Sequence, residues 1–243
     1  MQTTGTLAAM MATISISAGL FACSNPESPT PDSEKSASST APAVPMEWPA
    51  GAVLAVDELP ILQSEVDHIA AWIQFLHPAN TLPSLRRQAL THVVLERATL
   101  AKIFAEERAV SRQKATVALA GLPKGEDAAG SRTATGNWSD LGLVIWGETR
   151  DLAPGRWSGP FELAGRFVLL RRDQSIPGLV PAADQFTVSV LDFPYTPPDF
   201  TREDLVLAPR TVQLSILDRD WEALVPSAWG KSLPTRWFKG PKN

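Results

Sequence analysis

The residues of this chain best suited to chemistry are three histidines, one cysteine and a few adjacent acid pairs. His68, His77 and His92 all fall in one stretch of helical periodicity, at spacings that match no recognised metal-ligand pattern. His68 shares a face with Trp72, and a structural role suits it. Cys23 is the only cysteine, which excludes an intramolecular disulfide and a Cys-rich metal site. Asp57/Glu58 sit in a turn and Glu106/Glu107 on a helix, where solvation accounts for them. No Gly-x-Ser-x-Gly elbow and no phosphate loop occurs. No metal or cofactor is expected, and these residues alone specify no reaction.

The elements that would position such groups centre on Ser64–Val110. Val66, Ile69, Ile73 and Leu76 recur at steps of three and four residues, one face of a helix. Ser64 is expected to cap it, with Asp67 completing a capping box. His77-Pro78 ends it, because a residue before proline avoids the helical region. A second helix begins near Pro83-Ser84 and carries an apolar stripe from Leu85 through Val93 and Leu100 to Phe104. At about 1.5 Å per residue it would approach 40 Å, and it continues weakly to about Leu119.

With 243 residues, the chain has room for one large or two small domains beyond any leader. A net charge of −4 gives no electrostatic case for nucleic acid. The 21 prolines argue for short elements outside the helical stretch.

Residues 1–22 carry no charged side chain, and 7–22 fit the apolar region of a secretory signal. Leu20-Phe21-Ala22-Cys23 resembles a bacterial lipobox, although Phe21 is bulkier than usual and no Lys or Arg stands near Met1. The resemblance implies a signal peptide over 1–22, lipid on Cys23, and a place in the cell envelope facing the periplasm. Ser24 after the cysteine favours the outer membrane. Residues 23–46, rich in Ser, Pro, Ala and Thr, are expected to form a flexible tether.

Residues 47–120 begin with the strand-like run 52–56, an Asp57-Glu58 turn and Leu59-Pro60-Ile61-Leu62. Gln63-Ser64-Glu65-Val66-Asp67 and then Leu82-Pro83-Ser84-Leu85-Arg86-Arg87-Gln88-Ala89-Leu90 follow. Over about residues 50–110 this resembles the SurA-type chaperone domain of periplasmic foldases. The resemblance implies a helical domain that cradles unfolded envelope proteins.

Residues 121–137 read as a Gly-rich linker. Within 138–217, Ser139-Asp140-Leu141-Gly142, Trp157-Ser158-Gly159-Pro160-Phe161-Glu162 and Gly165-Arg166-Phe167-Val168-Leu169-Leu170 resemble, in order, three segments of PpiC-type parvulins, which are peptidyl-prolyl isomerases. Periodicity agrees, placing a hairpin around Leu163-Ala164-Gly165. The segment departs from the family by truncation before Asp140 and by Phe167 standing where a histidine is usual, so the family's paired-histidine network is absent in its usual form. Strands are also expected at 185–191 and 210–217, adding sheet edges, and a short capped helix at 218–224 within a C-terminal region, 218–243. In the tail, Trp229, Trp237 and Phe238 are expected to fold back over the helices.

The expected fold is α+β: an N-terminal helical hairpin with a chaperone-like role, and a small antiparallel parvulin-like sheet. Three functions follow. The first is a lipid-anchored, chaperone-like foldase that holds unfolded polypeptides in a groove lined by Trp72, Phe75, Phe104 and Trp146. The second is an active isomerase of proline-containing chains, with Phe161 and Phe167 as pocket walls and Asp140 as a polar partner. The third is a structural envelope lipoprotein with one fixed partner.

Overall fold

The computed structural model describes residues 47–122 and 128–229; the expected leader, Cys23, the tether, Trp237 and Phe238 lie outside them. It is a mixed α+β fold with two antiparallel sheets. Strands β1 (Ala52–Val56) and β2 (Leu59–Leu62) form a hairpin. Its turn holds Asp57 at φ 49°, a left-handed conformation that a short polar residue tolerates. Asp57 Oδ1 accepts from the Gln213 amide at 2.9 Å, which aligns β7 (Leu214–Ile216) against the other edge of β1. β7 is shorter than the strand expected over 210–217.

Helix α1 (Gln63–Leu76) follows β2 directly. Ser64 does not cap it. The helix begins one residue earlier, with the Gln63 amide donating to Gly51 O at 2.9 Å. Asp67 pairs instead with Arg86, at 2.6 and 2.8 Å, and so ties α1 to α2 (Leu82–Ala89). The two-point ion pair with Arg86, in place of a local cap, sets the position of Asp67. After α2 comes one π-helical turn, Leu90–Val94, in which the Leu95 amide reaches back to Leu90 O. The extra residue lets Leu90, Val94 and Leu95 all enter the core. Helix α3 (Leu95–Ile103) continues the rod.

The long helix does not run on to Val110 unbroken. Phe104, at φ −110° and ψ 44°, breaks it, and α4 (Ala105–Gly121) leaves in a new direction. Phe104 turns out of the rod to stack edge-on against Phe200, 5.4 Å between centroids, in a satellite core with Leu100, Ala115, Phe167 and Tyr195. Small buried residues, Ser111 and Ala115, let α4 lie close on the second sheet, where Ser111 Oγ donates to Phe193 O at 2.5 Å.

The second sheet has the order β3-β6-β5-β4. Residues 121–137, expected as linker, contribute its edge strand β3 (Arg132–Gly136), paired with β6 (Gln185–Pro194). Helices α5 (Trp138–Leu141) and α6 (Leu143–Asp151) come next. β4 (Phe161–Leu163) and β5 (Arg166–Ile176) then make the expected hairpin around Ala164-Gly165. β6 is an interior strand paired along nearly all of β5, so it fills the sheet and does not merely edge it. Helix α7 (Arg202–Leu207) and a 3-10 turn, Arg219–Leu224, lead to Trp229. Asp218 caps that turn as expected, accepting from the Asp220 amide at 3.0 Å. Trp229 is buried in the main core, among residues from both sheets and α1–α3.

Candidate functional site

Where α1 crosses α6, Gly147 lies under the Trp72 ring. A Cβ there would stand 2.2 Å from Trp72 Cδ2. The missing side chain sets how closely the two helices approach, and the indole Nε1 donates to Asp151 Oδ2 at 3.2 Å to hold the crossing. This contact presents the next residue, Glu148, to a cleft of about 190 Å3. Ile69 and Trp72 from α1, Val93 from the π turn, Val144 from α6 and Phe161 from β4 line its apolar part. Glu65, His68, Arg97, Glu148 and Glu162 supply the ionisable part.

Each charge in this cleft has a distinct setting. Glu65 pairs with Arg97, yet burial outweighs that ion pair and Glu162 adds like charge, so its carboxyl is held above the usual range. Glu148 is also raised. Burial is the main cause, His68 works against it, and Asp151 adds to it. It accepts no hydrogen bond from a described residue. Glu162, at the floor, takes both Nε and Nη2 of Arg108, at 2.6 and 2.7 Å, and the Tyr195 hydroxyl at 2.9 Å. The Arg108 guanidinium is held above its ordinary value by this pairing, and the Tyr195 phenol is pushed up by burial and by Glu162. His68 stacks edge-on to Trp72 at 4.4 Å. The cleft therefore sets one carboxyl without a hydrogen bond from a described residue, its pKa raised by burial, beside two aromatic side chains. Among the described residues no group of three or more His, Cys, Asp and Glu side chains could hold a metal ion.

Of the expected groove residues, Trp72 lines this cleft and is otherwise enclosed. Trp146 is wholly buried, with its indole donating to Asp184 O at 3.2 Å. Phe75 stands 40% exposed beside it, under the Arg150 guanidinium at 4.3 Å. Phe104 belongs to the satellite core. The four do not share one groove.

Of the expected isomerase residues, Phe161 lines the cleft, whereas Phe167 is buried beneath α4 with Arg108 5.8 Å from its ring. Asp140 is exposed and completes the capping box of α5, accepting from the Asn137 amide at 3.1 Å. Glu65, Glu148 and the Arg108–Glu162–Tyr195 cluster escaped the sequence reading. One signal was there for Glu65: it precedes Ile69 and Trp72 by four and seven residues, an acid on the buried face of α1.

No protein-family model matches the chain, and comparison with curated proteins and with solved structures gives no significant match for either.

Proposed function

We propose that this chain binds segments of other polypeptides, as a chaperone-like foldase of the SurA/parvulin kind held at the bacterial envelope through lipid on Cys23. The observation that carries this reading is the cleft itself. Trp72 from the helical half and Phe161 from the sheet half line one apolar cavity rimmed by ionisable groups. Such a site takes up one apolar side chain at a time and releases it, which suits transient holding of an unfolded client. The arrangement of the three parvulin-like segments also supports it. Leu141, Phe161, Val168 and Leu170 all pack in or against one core.

The test is suppression of aggregation of a urea-unfolded outer-membrane β-barrel protein. The parent chain is expected to suppress it near stoichiometry. Val144→Phe, which fills the cleft, is expected to lose most of that effect with its unfolding transition unchanged. No suppression at several-fold excess defeats the reading.

Glu148 favours prolyl isomerisation as a second reading. Rotation about the prolyl bond crosses a barrier of about 18–20 kcal/mol. In its protonated form this carboxyl, beside two aromatic walls, can donate to the prolyl nitrogen as it loses amide character, and one such bond in an enclosed site contributes about 0.5–1.5 kcal/mol; burial raises its pKa and so widens the pH range of that form. A proline-limited refolding reaction is expected to run several-fold faster with the parent chain and not with Glu148→Gln. Equal rates for parent and blank exclude it.

A further inference from the structure

We propose that the tip of the β5–β6 hairpin, residues 175–183, inserts its exposed apolar side chains into the hydrocarbon of a lipid bilayer. The sequence Ser-Ile-Pro-Gly-Leu-Val-Pro-Ala-Ala is free of charge over nine residues. Leu179 is fully exposed, and Ile176 and Val180 are each more than half exposed. Aliphatic side chains held out in water at a hairpin tip cost free energy unless a partner covers them.

The tip is held in this posture by its base. Asp184 accepts from the Gly178 amide at 2.8 Å and from Arg150 Nη1 at 2.6 Å. Arg150 also donates to Pro181 O at 3.4 Å, and the Trp146 indole to Asp184 O. Gly178 is required at the neck, since a Cβ there would meet the Ala183 carbonyl carbon at 2.5 Å. The loop cannot readily fold its apolar side chains back onto the body.

Backbone chemistry limits the cost of lipid contact. Hydrocarbon penalises N–H groups that are not satisfied internally. Pro177 and Pro181 have none, the Gly178 amide is bonded to Asp184, and the Ala183 amide is bonded to Val180 O at 2.9 Å, which leaves the amides of Leu179, Val180 and Ala182 to the headgroup layer while their side chains reach below it. A bilayer also asks for no shape complementarity, which suits single side chains at a tip.

Position agrees. The 3-10 turn Pro181–Ala183 packs on α1, near its Phe75 end, while the chain enters at Gly51 beside the other end, so the two points are about 20 Å apart along the helix. Cys23 and Glu47 are 24 residues apart, a span of at most about 80 Å. A lipid on Cys23 would thus keep the tip within reach of the same membrane. This last point rests on the proposed anchoring; the affinity of the tip itself does not.

The experiment separates the two. The full chain carrying Cys23→Ser, which cannot be lipidated, is sedimented with phosphatidylcholine vesicles and with vesicles containing 30 mol% phosphatidylglycerol. Binding to both is expected, and Leu179→Asp is expected to weaken it at least tenfold. Val117→Asp, which alters an exposed apolar residue on α4, is expected to leave it unchanged. Because Cys23 is the only cysteine, Leu179→Cys in the same background accepts a single environment-sensitive dye, whose emission is expected to shift to the blue on vesicles. Failure of the unlipidated chain to bind, or equal binding by Leu179→Asp, overturns the proposal. Tip-dependent binding to an unfolded polypeptide or to a second copy of the chain, with none to vesicles, also overturns it. Lipidation is read independently from the mass of the mature N-terminal peptide.

Discussion

Replacing Arg108 with leucine tests whether α4 is pinned to the second sheet by one ion cluster. Glu162 takes two bonds from Arg108 and one from Tyr195, and its side chain is only 11% exposed against 27% for Arg108. Stripping one partner from a fully buried pair costs about 3–5 kcal/mol, because the remaining charge is left unpaired in a poor solvent. Some water reaches the guanidinium here, so a loss of about 2–3 kcal/mol is expected. Glu162→Leu should cost less, about 1–2 kcal/mol, since the freed guanidinium can swing outward into water. The double variant should be little worse than Arg108→Leu alone, a coupling of about 1–2 kcal/mol. Urea unfolding followed by tryptophan fluorescence reads all four corners of the cycle. For a domain of this size the Arg108→Leu loss corresponds to roughly 4–12 °C in Tm. Single losses that add to within about 0.5 kcal/mol would refute the reasoning, as would an Arg108→Leu variant as stable as the parent.

Two further substitutions bear on the cleft. Glu148 has its folded pKa raised above the free-chain value of 4.5, so the folded state binds the proton more tightly than the unfolded one. Ionising it in place therefore destabilises the fold above the folded pKa, and that penalty vanishes below 4.5. Glu148→Gln is expected to stabilise the protein at pH 7.5 and not at pH 4; an equal gain at both would contradict the burial of this carboxyl. Gly147→Ala sets helix propensity, worth up to about 1 kcal/mol in favour of alanine, against a Cβ 2.2 Å from the Trp72 ring. Overlap should win, with a net loss of about 1–3 kcal/mol, and an unchanged or raised Tm would show that α1 and α6 can part without cost.

What the sequence made legible was local. The three- and four-residue steps of Val66, Ile69, Ile73 and Leu76 describe α1, and the β4–β5 hairpin follows from alternation around Ala164-Gly165. The break at Phe104 was not legible, because nothing nearby forbids a helix there; Phe200, almost a hundred residues on, draws the ring out of the rod. β3 was hidden for a similar reason. Arg132-Thr133-Ala134-Thr135-Gly136 has no apolar alternation, and its strand character comes from pairing with β6. In the cleft, Trp72 and Phe161 stood out as aromatic residues, but Glu148 reads as an ordinary helix-surface acid. Its burial depends on a glycine letting two helices approach, which periodicity does not record.

The pairing of β7 with β1 has a consequence for how the chain is made. Leu54 and Ile216 are cross-strand partners 162 positions apart in the primary sequence, so the first strand leaves the ribosome long before the strand that completes its sheet. Until then one edge of an apolar ribbon stays open, and closing so distant a contact is slow. The nascent polypeptide thus cannot complete its first sheet until residues 214–216 have been synthesised, well after the second sheet's strands are all available.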